Sequence, residues 1–159
     1  MVVEVSRPLI SEILVKVNNA KDKPKKIAVL RQYDSSGLRM VLKSSFDPKI
    51  QWRLPAGDVP FKKNDAPAGT EHTRLEQEAR TLFHYIKGGN DKLKQIKCEA
   101  MFVQLLEGLH ESEAEMLIAA KDKRLHQVYK GLSKQVVQES FNWDEDYLDM
   151  THKDYKKSA

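Results

Sequence analysis

The sequence predicts a mainly α fold: a single domain of six to eight short helices crossed by a proline-rich extended segment. Three observations carry this. Apolar residues recur at helical spacing along most of the chain, with helix start and stop residues at the matching offsets. Four of the six prolines fall together at Pro48, Pro55, Pro60 and Pro67, where they remove hydrogen-bond donors and fix φ. At 159 residues, 40% hydrophobic and 31% charged, the chain has the size and composition of one globular unit.

In chain order, Ser6 with Arg7 and Pro8 forms a helix start, because proline is tolerated in a first turn and the serine oxygen accepts an orphan N–H. Leu9, Ile10, Ile13, Leu14 and Val17 then repeat on one face. Asn18 to Lys23 breaks the pattern. Pro24 opens a second helix bearing Ile27, Leu30 and Tyr33, and Leu38 to Phe46 forms a third around Leu38, Val41 and Leu42. These make an N-terminal three-helix part, residues 1–46. Residues 47–69 are the proline-rich crossing, which also holds Ile50, Trp52, Leu54, Val59 and Phe61. A free linker seldom carries so many apolar groups, so this segment is expected to be pinned across the helices or to dock on a partner.

Residues 70–141 are expected to form a helical core. Thr70 or Thr73 caps its first helix, with Thr73 and Glu76 as a capping box and Leu75, Ala79, Leu82, Phe83 and Ile86 as the buried stripe. Gly88 and Gly89 end that helix. The densest apolar pattern, Lys97 to Lys123, reads as an αα-hairpin. Its first helix turns Met101, Leu105 and Leu109 inward, widened by Ala100, Val103 and Leu106, and Gly108 ends it. Ser112 and Glu115 form the capping box of the second, which turns Ala114, Leu117, Ile118 and Lys121 inward. A short helix near Arg124 to Lys130 and another after Ser133, carrying Val136, Val137 and Phe141, complete the core. Residues 142–159 are an acidic, aromatic tail. Val2 to Val5 can pair as a strand where an edge is offered.

Composition narrows the function classes. Cys98 is the only cysteine, so neither an internal disulfide nor a thiolate metal cluster is expected within one chain. Mean hydropathy of -0.59 and no long apolar run exclude a membrane-spanning helix. The first residues lack a basic start and a cleavage site, and they carry Glu4 and Glu12, so the chain is read as unexported. The net charge of +4 permits a polyanionic partner without demanding one. Its distribution is uneven: residues 1–46 hold nine Lys or Arg against four acids, whereas residues 143–150 hold four acids and no base.

No catalytic constellation, metal site or cofactor site is expected. Glu107-Gly-Leu-His110 matches the Glu-x-x-His of metal-binding helices, but that chemistry needs a second copy, and Gly108 favours a helix end. The five histidines are scattered, and Cys98 reads as a small core residue. The partner-binding candidates are Trp52, Phe61, Trp143 and Tyr147, since aromatic anchors dominate interfaces. The nucleic-acid candidates are Lys21, Lys23, Lys25 and Lys26, together with Lys130, Lys134, Gln135 and Gln138. The last four lie in a helix, turn and helix over Leu125 to Phe141 that is laid out like a helix-turn-helix. Glu139, on the outer face of its second helix, counts against phosphate contact.

LPAGDVPF at 54–61, APAGTEHTRLEQEAR at 66–80, FHYIKGGND at 83–91 and FVQLLEGLHESEAEMLIAAKDKRL at 102–125 resemble a family of small proteins of unknown function from T-even-like myoviruses, marine cyanophages especially. The resemblance implies a phage origin and action in the cytoplasm of an infected bacterium or in the virion. It carries no catalytic residue across. The expected function is therefore non-enzymatic, through protein contacts in a virion or its assembly, with a phage structural protein, a host protein or a second copy as partner. The alternatives are a nucleic-acid accessory protein of replication or transcription and a host-directed inhibitor.

Overall fold

Polar side chains fix where most of the longer helices begin. A computed structural model describes residues 8–64 and 72–150, which hold eight α-helices and one 3₁₀ helix. The helices are α1 (Ile10–Asn19), α2 (Lys23–Gln32), α3 (Ser36–Phe46), α4 (Leu75–Glu78), the 3₁₀ helix (Ala79–Tyr85), α5 (Gln95–Gly108), α6 (Glu111–Lys121), α7 (Leu125–Val128) and α8 (Lys134–Phe141). Asp22, Ser35 and Ser133 accept the N–H groups of Lys25, Leu38 and Val136, so each caps the helix that follows it. The described residues contain three isolated β-bridges and no strand, and no helix among them is long and apolar enough to cross a membrane. The mainly α, single-domain expectation therefore holds.

The second arm of the hairpin, α6, is the hub of the fold. Eight of its eleven residues are buried, so it has almost no solvent face, as a helix at the centre of a core must. It packs against α1, α3, α5 and α7, while α2 and α8 pair with each other beside α1. Leu14, Leu38, Leu42, Leu106, Leu117 and Val137 meet in one cluster, each fully buried, at about 1.5–3 kcal/mol per side chain.

Several local expectations are corrected by this packing. The helix start at Ser6 and the strand at Val2 to Val5 lie outside the described residues, as does Thr70. Thr73 does not cap a helix; its N–H donates to the Gly108 carbonyl at 2.8 Å and it bridges Leu109. The chain tightens to a 3₁₀ helix after Glu78, so the buried residues follow a period of three, Ala79, Leu82 and Tyr85. Phe83, expected inside, is 48% exposed. Helix α5 is rotated from the expected face: Cys98, Phe102 and Leu106 point inward, and Met101 and Leu105 are half-buried. Ser112 and Glu115 form no capping box. The cap of α6 is His110, whose Nδ1 accepts from the Ser112 N–H at 3.1 Å.

Within its described residues, 47–64, the proline-rich crossing is pinned rather than free. Trp52 pairs with Ile86 as a two-sided bridge, with the Arg53 N–H on the Tyr85 carbonyl and the Lys87 N–H on the Gln51 carbonyl, both at 2.8 Å. The Arg53 guanidinium then donates to the Asn90 and Leu93 carbonyls. Lys121, whose side chain is 1% exposed, donates to the Pro55 and Gly57 carbonyls and to Asp122, while Asp122 receives the Gly57 N–H. Gly57 has φ of +100°, the left-handed region that glycine enters without a Cβ penalty. These bonds replace the ladder that prolines deny to the segment.

Candidate functional site

Three of the four aromatic partner candidates are core residues. Trp52 is 8% exposed, its indole N–H donates to the Ser44 carbonyl at 3.0 Å, and its ring meets the edge of Phe102. Trp143, 9% exposed, packs on Phe141 and Tyr147, and Tyr147 is 1% exposed. Phe61 is half-buried against the same core. The expectation that Trp52, Trp143 and Tyr147 face a partner is therefore corrected. The extended stretches that carry them have no amphipathic face of their own, and their rings supply the area that fastens those stretches down. The large apolar side chains left outside include Ile96, 85% exposed, and Phe83, which stacks on His84 at 4.0 Å.

The lysine candidates behave differently, because the fold brings together two runs that lie more than a hundred residues apart. Helix α8 lies along α2, and the turn before it meets the end of α1, where the Gly131 N–H donates to Asn18 Oδ1 at 2.8 Å. Lys26 closes over that turn: a Cβ added at Gly131 would stand 2.9 Å from its Cε. Lys26 donates to the Ala20 carbonyl, and Lys23 pairs with Glu139 across the helix contact. Lys21, Lys25, Lys130 and Gln135 are exposed on the elements that meet here. Lys134 pairs with Glu145 at 3.3 Å and Gln138 Nε2 donates to the Asp144 carbonyl at 3.1 Å.

Arg31 belongs to this face too, and sequence spacing gave no sign of it. Its guanidinium donates to the Ser140 and Glu139 carbonyls, both at 3.0 Å, so a cation sits on the carbonyl end of α8. With Lys23, Pro24, Ile27, Glu139 and Asn142 it lines a cleft of about 560 Å³. The layout is not a helix-turn-helix. Its first helix, α7, is one turn long, and α8 packs along α2 with Val136, Val137 and Phe141 buried in the core.

A model of the Family of unknown function (DUF6433) matches residues 13–127, most of the chain. The chain belongs to that family. No curated protein and no solved structure matches it. The DUF6433 match takes in α2 and its lysines and stops before the 130–138 part of the lysine face.

Other polar groups in this DUF6433 chain serve the scaffold. Glu107 Oε2 accepts the Lys62 N–H at 2.8 Å and His110 caps α6, so the two ends of the Glu-x-x-His match fasten different segments. No group of three or more His, Cys, Asp or Glu side chains among the described residues is placed to hold a metal ion. Cys98 is buried, donates to the His84 carbonyl at 3.5 Å, and burial pushes its thiol pKa up, away from a reactive thiolate. His84 Nδ1 meets Asn90 at 2.9 Å, and His126 lies beside Phe46.

Proposed function

We propose that this protein is a non-enzymatic accessory factor of phage origin, acting in an infected bacterium, that holds nucleic acid on its α2–α8 lysine face. The supporting observation is the meeting of residues 21–26 with residues 130–138 across one helix contact. Six lysines stand there against Asp22, Glu139 and Glu145. The Lys23–Glu139 and Lys134–Glu145 pairs are solvent-exposed, worth about 0–1 kcal/mol each, so phosphate oxygens can displace them. Lysine and glutamine on this face suit backbone contact better than base stacking, which favours duplex binding without strong sequence preference. Fluorescence anisotropy with a labelled duplex should show binding whose log K falls with log salt at a slope of about -0.9 per phosphate engaged. Replacing Lys21, Lys25, Lys26 and Lys130 together with alanine should flatten that slope by about three to four. Absence of binding to duplex at low salt would reject the reading.

A second reading, protein contacts in a virion or its assembly, is favoured by the apolar exposure at Ile96 and Phe83. Phe83 precedes His84 in the 3₁₀ helix and Ile96 lies in the first turn of α5, two residues before Cys98, whose thiol donates to the His84 carbonyl. An exposed apolar pair suits a protein surface and not a phosphate backbone. Capture of a partner by tagged protein in infected cells should then resist salt and disappear in an Ile96→Glu, Phe83→Ser variant. Proteomics of purified particles tests the virion form of this reading, because a structural component must be present there at stoichiometric level and its absence would sink that form.

A further inference from the structure

Lys123 occupies a backbone position that usually goes to glycine. Its φ is +60°, and around it α6 closes with the Lys123 N–H on the Ala120 carbonyl at 3.0 Å and the Arg124 N–H on the Ala119 carbonyl at 2.8 Å. This is the Schellman ending with lysine at its left-handed residue, a conformation that costs a side chain about 1–2 kcal/mol. Strain of this kind persists where the side chain is needed, and the surroundings show where it goes. The ammonium donates to the Asp47 backbone carbonyl at 2.8 Å and borders a cleft of about 570 Å³ between the crossing segment and the α6–α7 turn. Phe46, Ile50, Trp52 and Leu54 give the cleft an apolar wall, and His126 also lines it.

The charges around this cleft are not equally satisfied. Lys121 and Asp122, in the same wall, pair with each other and with the backbone of residues 55–57, and Arg124 adds a second cation to Asp122 at 3.6 Å. Asp47 is 1% exposed and its carboxylate accepts the Lys49 N–H at 2.9 Å. Its charge acts on Lys123 at a distance, while the hydrogen bond from Lys123 goes to a neutral carbonyl. Burial accordingly pushes the Lys123 pKa down, against the pull of Asp47. An anion in the cleft would offset that desolvation directly. A volume of about 570 Å³, lined by apolar side chains and a few polar groups, falls in the range of small-molecule sites.

We propose that the cleft binds a small organic anion with an apolar body, its carboxylate meeting Lys123 and its frame lying on Trp52, Phe46 and Leu54. Octanoate and octanol serve as charged and neutral probes of one frame, titrated into the full chain and followed by amide NMR shifts. Two variants accompany the parent: Lys123→Met keeps the stem without the charge, and Lys123→Gly also relieves the left-handed backbone and so favours the fold. Octanoate should shift amides of residues 45–56 and 121–126 saturably. Octanol should bind about tenfold more weakly or worse, and so should octanoate to either variant. No saturable shifts, shifts confined to another region, equal binding of octanol, or undiminished octanoate binding by both variants would each overturn the proposal. The octanol comparison needs no substitution, so it decides the matter even where a variant folds poorly.

Discussion

Glu113 is where distant parts of the chain are tied together. It is 0% exposed, in the first turn of α6, and its carboxylate accepts the Ile10 N–H at 2.9 Å and the Leu75 N–H at 3.0 Å. One side chain thus satisfies first-turn donors of both α1 and α4, neither of which has a side-chain cap from its own N-cap residue that does so. Glu113→Ala should leave two buried donors without an acceptor, at about 1–3 kcal/mol each, and lower the urea midpoint with little change in slope. Burial raises the Glu113 pKa, opposed by those two N–H groups and by Arg74. A folded pKa above the unfolded one means that its contribution is fully present at low pH and declines as pH rises through the raised value. Glu113→Gln, which cannot titrate, should lack that component in a stability-against-pH series. Nothing in the sequence marked Glu113, because its partners lie 103 and 38 residues away.

The crossing segment and the 3₁₀ helix show what an element owes to its neighbours. Residues 53–57 form no regular structure, yet Lys121 and Asp122, at the C-terminal end of α6, hold the backbone of Pro55 and Gly57 in the least solvated ion pair of the described chain. Lys121→Met keeps the apolar stem and removes the ammonium, leaving two carbonyls and Asp122 without it. A loss of about 3–5 kcal/mol is expected by thermal unfolding, with faster hydrogen exchange at Gly57, and Lys121→Met with Asp122→Leu should recover part of it. The change from α4 to 3₁₀ has a steric companion at Gly37. A Cβ there would stand 2.2 Å from the Glu76 carbonyl oxygen, so α3 and α4 approach closely only because that residue is glycine. Gly37 lies in the first turn of α3 and is buried there.

At the scale of the molecule, burial couples two tyrosines to the stability of the whole core. Tyr85 and Tyr129 are each pushed up from 10.0 to about 12 by desolvation, with nearby acidic groups adding to the rise. Their neutral forms are favoured in the fold, so this contribution is complete below pH 10 and is lost as pH climbs toward about 12. Denaturation followed across that range should show falling stability, and the double variant Tyr85→Phe, Tyr129→Phe should fall less. The lysine face is likewise a property of the whole chain. Lys23 and Lys26 reach Glu139 and the Gly131 turn only because α1, α2 and α8 pack side by side.

Local sequence signals suffice to mark most of these segments as helices and to show where several of them begin. Those signals are local: Ser133 caps α8 by accepting a hydrogen bond from three residues on, and the apolar spacing in α1 marks the face that is buried. Tertiary structure decided the rest. Which side of α5 turns inward, that Ala79 to Tyr85 tightens to a period of three, and that Trp52, Trp143 and Tyr147 sink into the core all depend on surfaces presented by distant residues. An extended segment with aromatic side chains reads equally well as a docking arm or as a strap until something is available to cover it. Here α3 and α5 take up Trp52, and Phe141 takes up Trp143, because burying an aromatic ring on the chain's own core requires no partner.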